Sequence, residues 1–222
     1  MSNFDLIIFD CDGVLVDSER IANEVFAEIL NSECGLSLTL SDMFDIFVGH
    51  SSQQCMDMLR EMLDDEPPEG IEDRYNKEIN AALCSRVVAV EGIDLVIQSL
   101  TVPYCVASSG SHEKMATTLG KTGLIGRFQD ALFSTSDVAR GKPFPDVYLH
   151  AATMMGIPDP GKCLVIEDSP LGVKGAVSAG MTVFGFSALT DEKKRVSAGA
   201  HHVFHRMADL PEAISSYVPV AL

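Results

Sequence analysis

The sequence predicts an α/β protein: a doubly wound, Rossmann-like parallel sheet interrupted by an inserted α-helical subdomain. Three observations carry this expectation. Short apolar runs recur without the alternation of a half-exposed strand, as in sheets covered on both faces. Segments with helical punctuation separate most of these runs, the pattern of strand–helix–strand units. Residues 18–86, by contrast, contain no strand pattern.

The runs are residues 6–9, 102–107, 131–133, 163–166 and 181–186, with a weaker strand at 201–204. Helices are expected at 92–100, 111–119, 146–155 and 171–179, the last closed by Gly180, which tolerates the left-handed conformation a helix end needs. Asp209-Leu210-Pro211-Glu212 opens a terminal helix with a capping acid and an early proline. Within the insert, 18–30, 52–63 and 71–83 read as helices. Ser51 to Gln54 fits a capping box for the second, and Pro67-Pro68 separates it from the third. The acidic run Asp64-Asp65-Glu66 reads as a solvated turn. The expected division is therefore a core of residues 1–15 and 88–222, with a helical subdomain at 16–87.

Composition sets the class. The chain has 222 residues, 46% of them hydrophobic, enough to bury a core without disulfides or metal staples. Lys and Arg number 16 against 32 Asp and Glu, a net charge of −16 that argues against nucleic-acid and anionic-membrane partners. The six cysteines (11, 34, 55, 84, 105, 163) are scattered, without a C-x-x-C pair, and read as free thiols in a reducing cytoplasm. The first ten residues lack the basic segment of a signal peptide, and no apolar run reaches the roughly 18 residues of a membrane helix. A cytoplasmic monomer is expected.

Ligands of open α/β sheets bind beyond the carboxyl ends of the strands. The residues after the first run are Asp10-Cys11-Asp12-Gly13, and Ser108-Ser109-Gly110 stands at the end of the second. Gly141-Lys142-Pro143 lies a few residues beyond the third, and Glu167-Asp168 follows the fourth. Four carboxylates at one rim repel one another unless a cation neutralises them. An all-oxygen set with few protein ligands suits Mg²⁺. Ser108, Ser109 and Lys142 suit the oxygens of a phosphoryl group. Asp10 can then attack phosphorus, and Asp12 can protonate the leaving oxygen and activate water.

The segments FDCDGVLVDSE, the strand ending in Ser108, GKPFPD and VIEDSPLGVKGAVSAGM resemble the four motifs of the haloacid dehalogenase superfamily, nearest its phosphoglycolate phosphatase and β-phosphoglucomutase branch. The resemblance runs from Phe4 to about Ile214 and makes the insert similar to that superfamily's α-helical cap. It implies Asp10 as nucleophile and Asp12 as general acid/base. It implies Mg²⁺ on the side chains of Asp10 and Asp168 and the backbone carbonyl of Asp12, with Glu167 a further ligand or a group behind the ligands. Substrate contacts from the cap fall on Gly49, His50, Ser51 and Ser52. Mutases of this branch carry a cap histidine ten residues after the second aspartate, and here that place is Ala22. They also carry an arginine after the cap-loop glycine, where Ser51 and Ser52 stand. The dehalogenases lack the second aspartate, so Asp12 favours phosphoryl transfer. The expected function is a Mg²⁺-dependent phosphatase acting on a small phosphorylated metabolite, a sugar phosphate being the nearest fit, with a phosphohexomutase as the alternative. A receiver-like phospho-acceptor fits less well, because receivers are shorter, lack the insert and separate the acceptor from the acidic pair.

Two features are set aside. His201, His202 and His205 are expected on a surface strand rather than at a metal. The methionines at 56, 58, 62, 154 and 155 are expected to fill core space.

Overall fold

The computed structural model describes residues 4–47, 52–128, 130–188 and 192–218. It divides into two compact units, one of residues 1–17 and 88–222 and one of residues 18–87.

The larger unit holds six parallel strands: β1 (Leu6–Phe9), β2 (Tyr104–Ser108), β3 (Leu132–Ser134), β4 (Cys163–Glu167), β5 (Thr182–Phe186) and β6 (His202–Phe204). They lie in the order β3-β2-β1-β4-β5-β6. The chain winds outward from β1 in both directions, which makes the carboxyl end of β1 the crevice where ligands enter such sheets. β1 pairs with β2 through Ile8 and Cys105 and with β4 through Ile8 and Val165, so it is central. All four of its residues are buried, because successive side chains point to opposite faces and both faces are covered.

One covering layer is clear from its packing. Leu6, Ile8, Cys105, Ala107, Val165 and Val183 meet Val147, Tyr148, Ala151 and Ala152 of a helix at Asp146–Met154, and Val173 and Ala176 of a helix at Pro170–Ser178. Truncating one of these buried aliphatics to alanine costs about 2–5 kcal/mol. The second of these helices starts where it does because the Ser169 hydroxyl accepts from Gly172 N and Pro170 occupies the first turn. Helices at Ile93–Ser99, His112–Lys121 and Leu210–Ser216 follow the expected segments, the middle one capped by Ser111.

The smaller unit contains helices at Ser18–Glu33, Leu40–Ile46, Ser52–Leu63 and Ile71–Arg86. Phe26 anchors it, with its ring edge-on to Phe47 at 5.2 Å and to Tyr75 at 5.3 Å between centroids. The Leu40–Ile46 helix was not anticipated. Its signal is a capping box in which Thr39 and Asp42 exchange side-chain and backbone hydrogen bonds. The short helices Ile125–Phe128 and Lys193–Ala198 were also unanticipated. Ser51, expected as a cap, lies outside the described residues.

The methionine expectation is corrected. Met62 and Met154 are exposed and Met56 and Met58 only half-buried. Leu59 is fully buried in the Ser52–Leu63 helix, while Met56 and Met62, three residues to either side, sit at the edge of that face. Met155 does pack against the core. The three histidines do not converge. His201 Nδ1 accepts from Val183 N, His202 packs on Phe184, and His205 Nδ1 pairs with Ser187 O. All six cysteines are free. Among the described residues no helix is long and apolar enough to cross a membrane.

Candidate active site

The site is built where four strands end. Asp10 N still donates to Ile166 O at 2.9 Å, so its position is fixed by the ladder between β1 and β4. The chain then folds back at once. Leu15 N and Val16 N both donate to Cys11 O, and Gly13 N donates to Val16 O. Gly13 has φ of +76°, and a Cβ there would stand 2.0 Å from Asp168 Oδ2. Only glycine allows the first-strand turn to close against the carboxylate after β4.

At the end of β2, buried Ser108 accepts from Gly110 N at 3.0 Å through its hydroxyl oxygen. The loop that follows is tied down from β3: Ser134 Oγ donates to Gly110 O at 2.8 Å and Thr135 Oγ1 to Ser109 O at 3.2 Å. The Ser108 hydroxyl hydrogen, not used in accepting from Gly110, can serve a ligand oxygen.

Lys142 reaches the nucleophile position from the third loop. Its Nζ donates to Asp10 Oδ1 at 2.7 Å and to Glu167 Oε1 at 2.5 Å. Glu167 is saturated: Oε1 also accepts from the Tyr148 hydroxyl at 2.8 Å, and Oε2 accepts from Ser169 N and Ser169 Oγ, each at 2.9 Å. Asp12 is engaged by Lys114, whose Nζ donates to Oδ2 at 2.7 Å.

Burial raises the Asp10 carboxyl to about 7; Lys142 pulls it down, while Glu167 and Asp12 push it further up. Burial opposes a charge on Lys142, but Asp10 and Glu167 outweigh it and hold the ammonium well above its ordinary range. Lys114 is likewise held up, Asp12 outweighing burial. Tyr148 is pushed far up by burial and by Glu167, so its hydroxyl stays a donor.

A divalent cation fits these residues. Asp10, Glu167 and Asp168 each offer an oxygen, all within 4.8 Å of one another. The Asp10, Glu167 and Asp168 carboxylates crowd together beside the Lys142 ammonium, and like charges at this range favour a bound cation. A carboxylate raised to about 7 also needs further positive charge to be fully ionised at neutral pH. Each Glu167 oxygen already accepts two hydrogen bonds, so a cation on Glu167 would compete there with Lys142, Tyr148 or Ser169.

The structure thus brings together Asp10, Lys142, Glu167 and Asp168, and sets Asp12 two residues beyond Asp10 at the same strand end. Ser109 is exposed, and its carbonyl points to Thr135. Gly49, His50 and Ser51 lie outside the described residues, and of Ser52 only the backbone is described. Lys114 and Tyr148 were not anticipated. Tyr148 gives no signal in sequence, being a helix residue among apolar neighbours. Lys114 had one: it is the third residue of a helix whose cap, Ser111, follows the Ser108 loop.

Comparison with known proteins places the chain in a family. Residues 4–180 match the family model of haloacid dehalogenase-like hydrolases. The 6-phosphogluconate phosphatase of Escherichia coli is 33% identical over 214 residues, covering 96% of this chain and 95% of that protein. A conserved haloacid dehalogenase-like protein from Agrobacterium tumefaciens superposes with a TM-score of 0.90 at 34% identity, over 96% of this chain and 98% of that one. A hydrolase of the same family from Deinococcus radiodurans, solved with bound phosphate and sodium, gives 0.86 at 32% identity, over 97% and 96%. The sheet order, the crowded carboxyl rim and these likenesses agree, and the chain belongs to the haloacid dehalogenase-like hydrolases.

Proposed function

We propose that the protein is a Mg²⁺-dependent phosphatase that hydrolyses a small phosphorylated metabolite, a sugar or sugar-acid phosphate, through an aspartyl-phosphate on Asp10. One observation carries the reading: Asp10 is buried at the end of the central strand, in contact with Lys142 and beside Glu167 and Asp168. A buried carboxylate flanked by an ammonium and by acids that can hold a cation is equipped to attack an anionic phosphorus. The phosphatase name of the Escherichia coli relative and the phosphate in the Deinococcus radiodurans structure point the same way.

In the first step an Asp10 oxygen bonds to phosphorus, the ester P–O bond breaks, and the leaving oxygen takes a proton from Asp12. In the second, water bonds to phosphorus and gives a proton to Asp12, and the bond from Asp10 to phosphorus breaks. The sum is ester plus water giving alcohol plus phosphate. Ser108 and Lys142 hold the non-bridging oxygens, and Ser109 contributes through its loop. The Asp10 and Asp168 carboxylates and the Asp12 backbone carbonyl would hold a divalent cation, which would supply neutralisation of the negative charge at the transferring group. Substrate choice is assigned to the helical unit as a cap, through Gly49, His50, Ser51 and Ser52. The protein is assigned to the cytoplasm as a monomer.

The test is a panel of phosphorylated metabolites assayed for phosphate release, with Mg²⁺ and after chelation, alongside Asp10→Asn. Activity on at least one ester, lost on chelation and in Asp10→Asn, is the expected result. Near-native kcat in folded Asp10→Asn overturns the reading.

A further inference from the structure

The mechanism above leaves one partly buried contact unused. Lys114 lies 102 residues from Asp12 in sequence, yet its Nζ sits 2.7 Å from Asp12 Oδ2. The side chains are 38% and 24% exposed, so the pair is partly screened from water. The lysine is firmly mounted. Its backbone N donates to the Ser111 capping hydroxyl at 3.2 Å, and its carbonyl accepts from Thr118 Oγ1 at 3.0 Å. Its side chain lies along Gly110: a Cβ at that residue would be 3.3 Å from Lys114 Cδ, 3.4 Å from Ser108 Oγ and 3.6 Å from Asp12 Oδ2. The lysine, the Ser108 hydroxyl and the Asp12 carboxyl thus converge on one small volume at the end of β2.

We propose that Lys114 is a positioning residue for Asp12, fixing one oxygen of its carboxyl and thereby the direction in which the group exchanges a proton with the leaving oxygen. A carboxyl on a single strand-end residue rotates about its last torsion with little resistance, since such torsions are broad. A lysine anchored in the first turn of a helix removes that freedom at one oxygen. Alignment of this kind contributes to proton transfer only where the leaving group needs the proton. The inference rests on the phosphatase reading, and its test separates the two.

The measurement is kcat/KM for p-nitrophenyl phosphate and for phenyl phosphate, two esters of nearly equal size. The first expels a stable phenolate; the second leaves with help from a proton. Lys114→Met is expected to lower kcat/KM for phenyl phosphate about tenfold more than for p-nitrophenyl phosphate, a modest part of the usual value of general acid catalysis. Lys114→Arg, which keeps a donor in reach of Asp12, is expected to restore most of the difference. It also serves if the methionine variant fails to fold. Equal loss on both esters makes Lys114 a general phosphate-site cation and overturns the proposal, as does no loss on either. Asp10→Asn is assayed beside them: if it retains turnover, the phosphatase reading fails instead.

Discussion

Lys142 and Glu167 meet at 2.5 Å beneath the carboxyl rim of the sheet, with the lysine side chain 4% and the glutamate 0% exposed. A buried pair of this kind survives because each partner has others: Lys142 also holds Asp10, and Glu167 also accepts from Tyr148 and twice from Ser169. Removing one charge leaves the other uncompensated, at about 3–5 kcal/mol. Glu167→Gln keeps the shape and one acceptor, so it is expected to destabilise the protein by about 3 kcal/mol in urea unfolding. On the reading that Glu167 aims Lys142, kcat is expected to fall while the Mg²⁺ concentration for half activation changes little. A large rise in that concentration would make Glu167 a direct ligand.

Asp168→Ala is expected to do the reverse. Its carboxylate stands over the Gly13 turn and within ligand distance of Asp10. Mg²⁺ sites with few protein ligands lose much of their affinity with one carboxylate. Calorimetric titration of the folded variant should show Mg²⁺ binding weakened at least about tenfold, the usual scale for losing a direct ligand or its supporting contact. Unchanged binding would remove Asp168 from the cation site.

The raised Asp10 carboxyl gives a pH signature with a definite sign. Its value moves from 3.8 to about 7, chiefly through burial, against the pull of Lys142 and with Glu167 and Asp12 adding to the rise. The folded state therefore binds a proton that the unfolded chain has released between those values, and stability from this group is complete below about pH 4 and lost as pH rises through about 7. Asp10→Asn cannot lose a proton. In metal-free buffer the Asn variant should match wild type near pH 4 and be the more stable protein at pH 7.5. The difference should be a few kcal/mol at most, since each tenfold change in proton affinity on folding is worth about 1.4 kcal/mol. Saturating Mg²⁺ should narrow the gap by stabilising wild type more. A gap that is constant with pH would show that Asp10 titrates normally.

How far these features were legible in sequence follows from range. The strands were readable because burial on both faces writes itself into unbroken apolar runs such as 6–9 and 163–166. The end of each run then located Asp10, Ser108 and Glu167 without any knowledge of side-chain contacts. The Leu40–Ile46 helix escaped because its strongest mark is the Thr39–Asp42 cap, in a stretch too short for periodicity. Lys114 and Tyr148 escaped for another reason. Their partners, Asp12 and Glu167, lie 102 and 19 residues away; Tyr148 carries no local mark of its contact, and Lys114 only its place in the first turn after the Ser108 loop, which does not name Asp12. Local pattern reports burial; it does not report which buried polar groups meet.

The choice between hydrolysis and isomerisation depends on who receives the phosphoryl group. A mutase must keep its aspartyl-phosphate from water until a sugar hydroxyl arrives, which requires closure to assemble the acid/base only around the right acceptor. In the mutases this chain resembles, a cap histidine ten residues after the second aspartate takes part in that control. Here the position is Ala22, on the Ser18–Glu33 helix, with no side-chain donor or acceptor. Asp12 already has a cation, Lys114, at 2.7 Å within the core unit. Its carboxyl is thereby oriented by the core unit itself, so water can be activated without a particular sugar acceptor. Phosphorus NMR of a hexose 1-phosphate, with catalytic hexose bisphosphate added, should show inorganic phosphate growing with little 6-phosphate. Formation of the 6-phosphate well ahead of phosphate release would assign the chain to the mutases, and Ala22→His would then be expected to change the ratio no further.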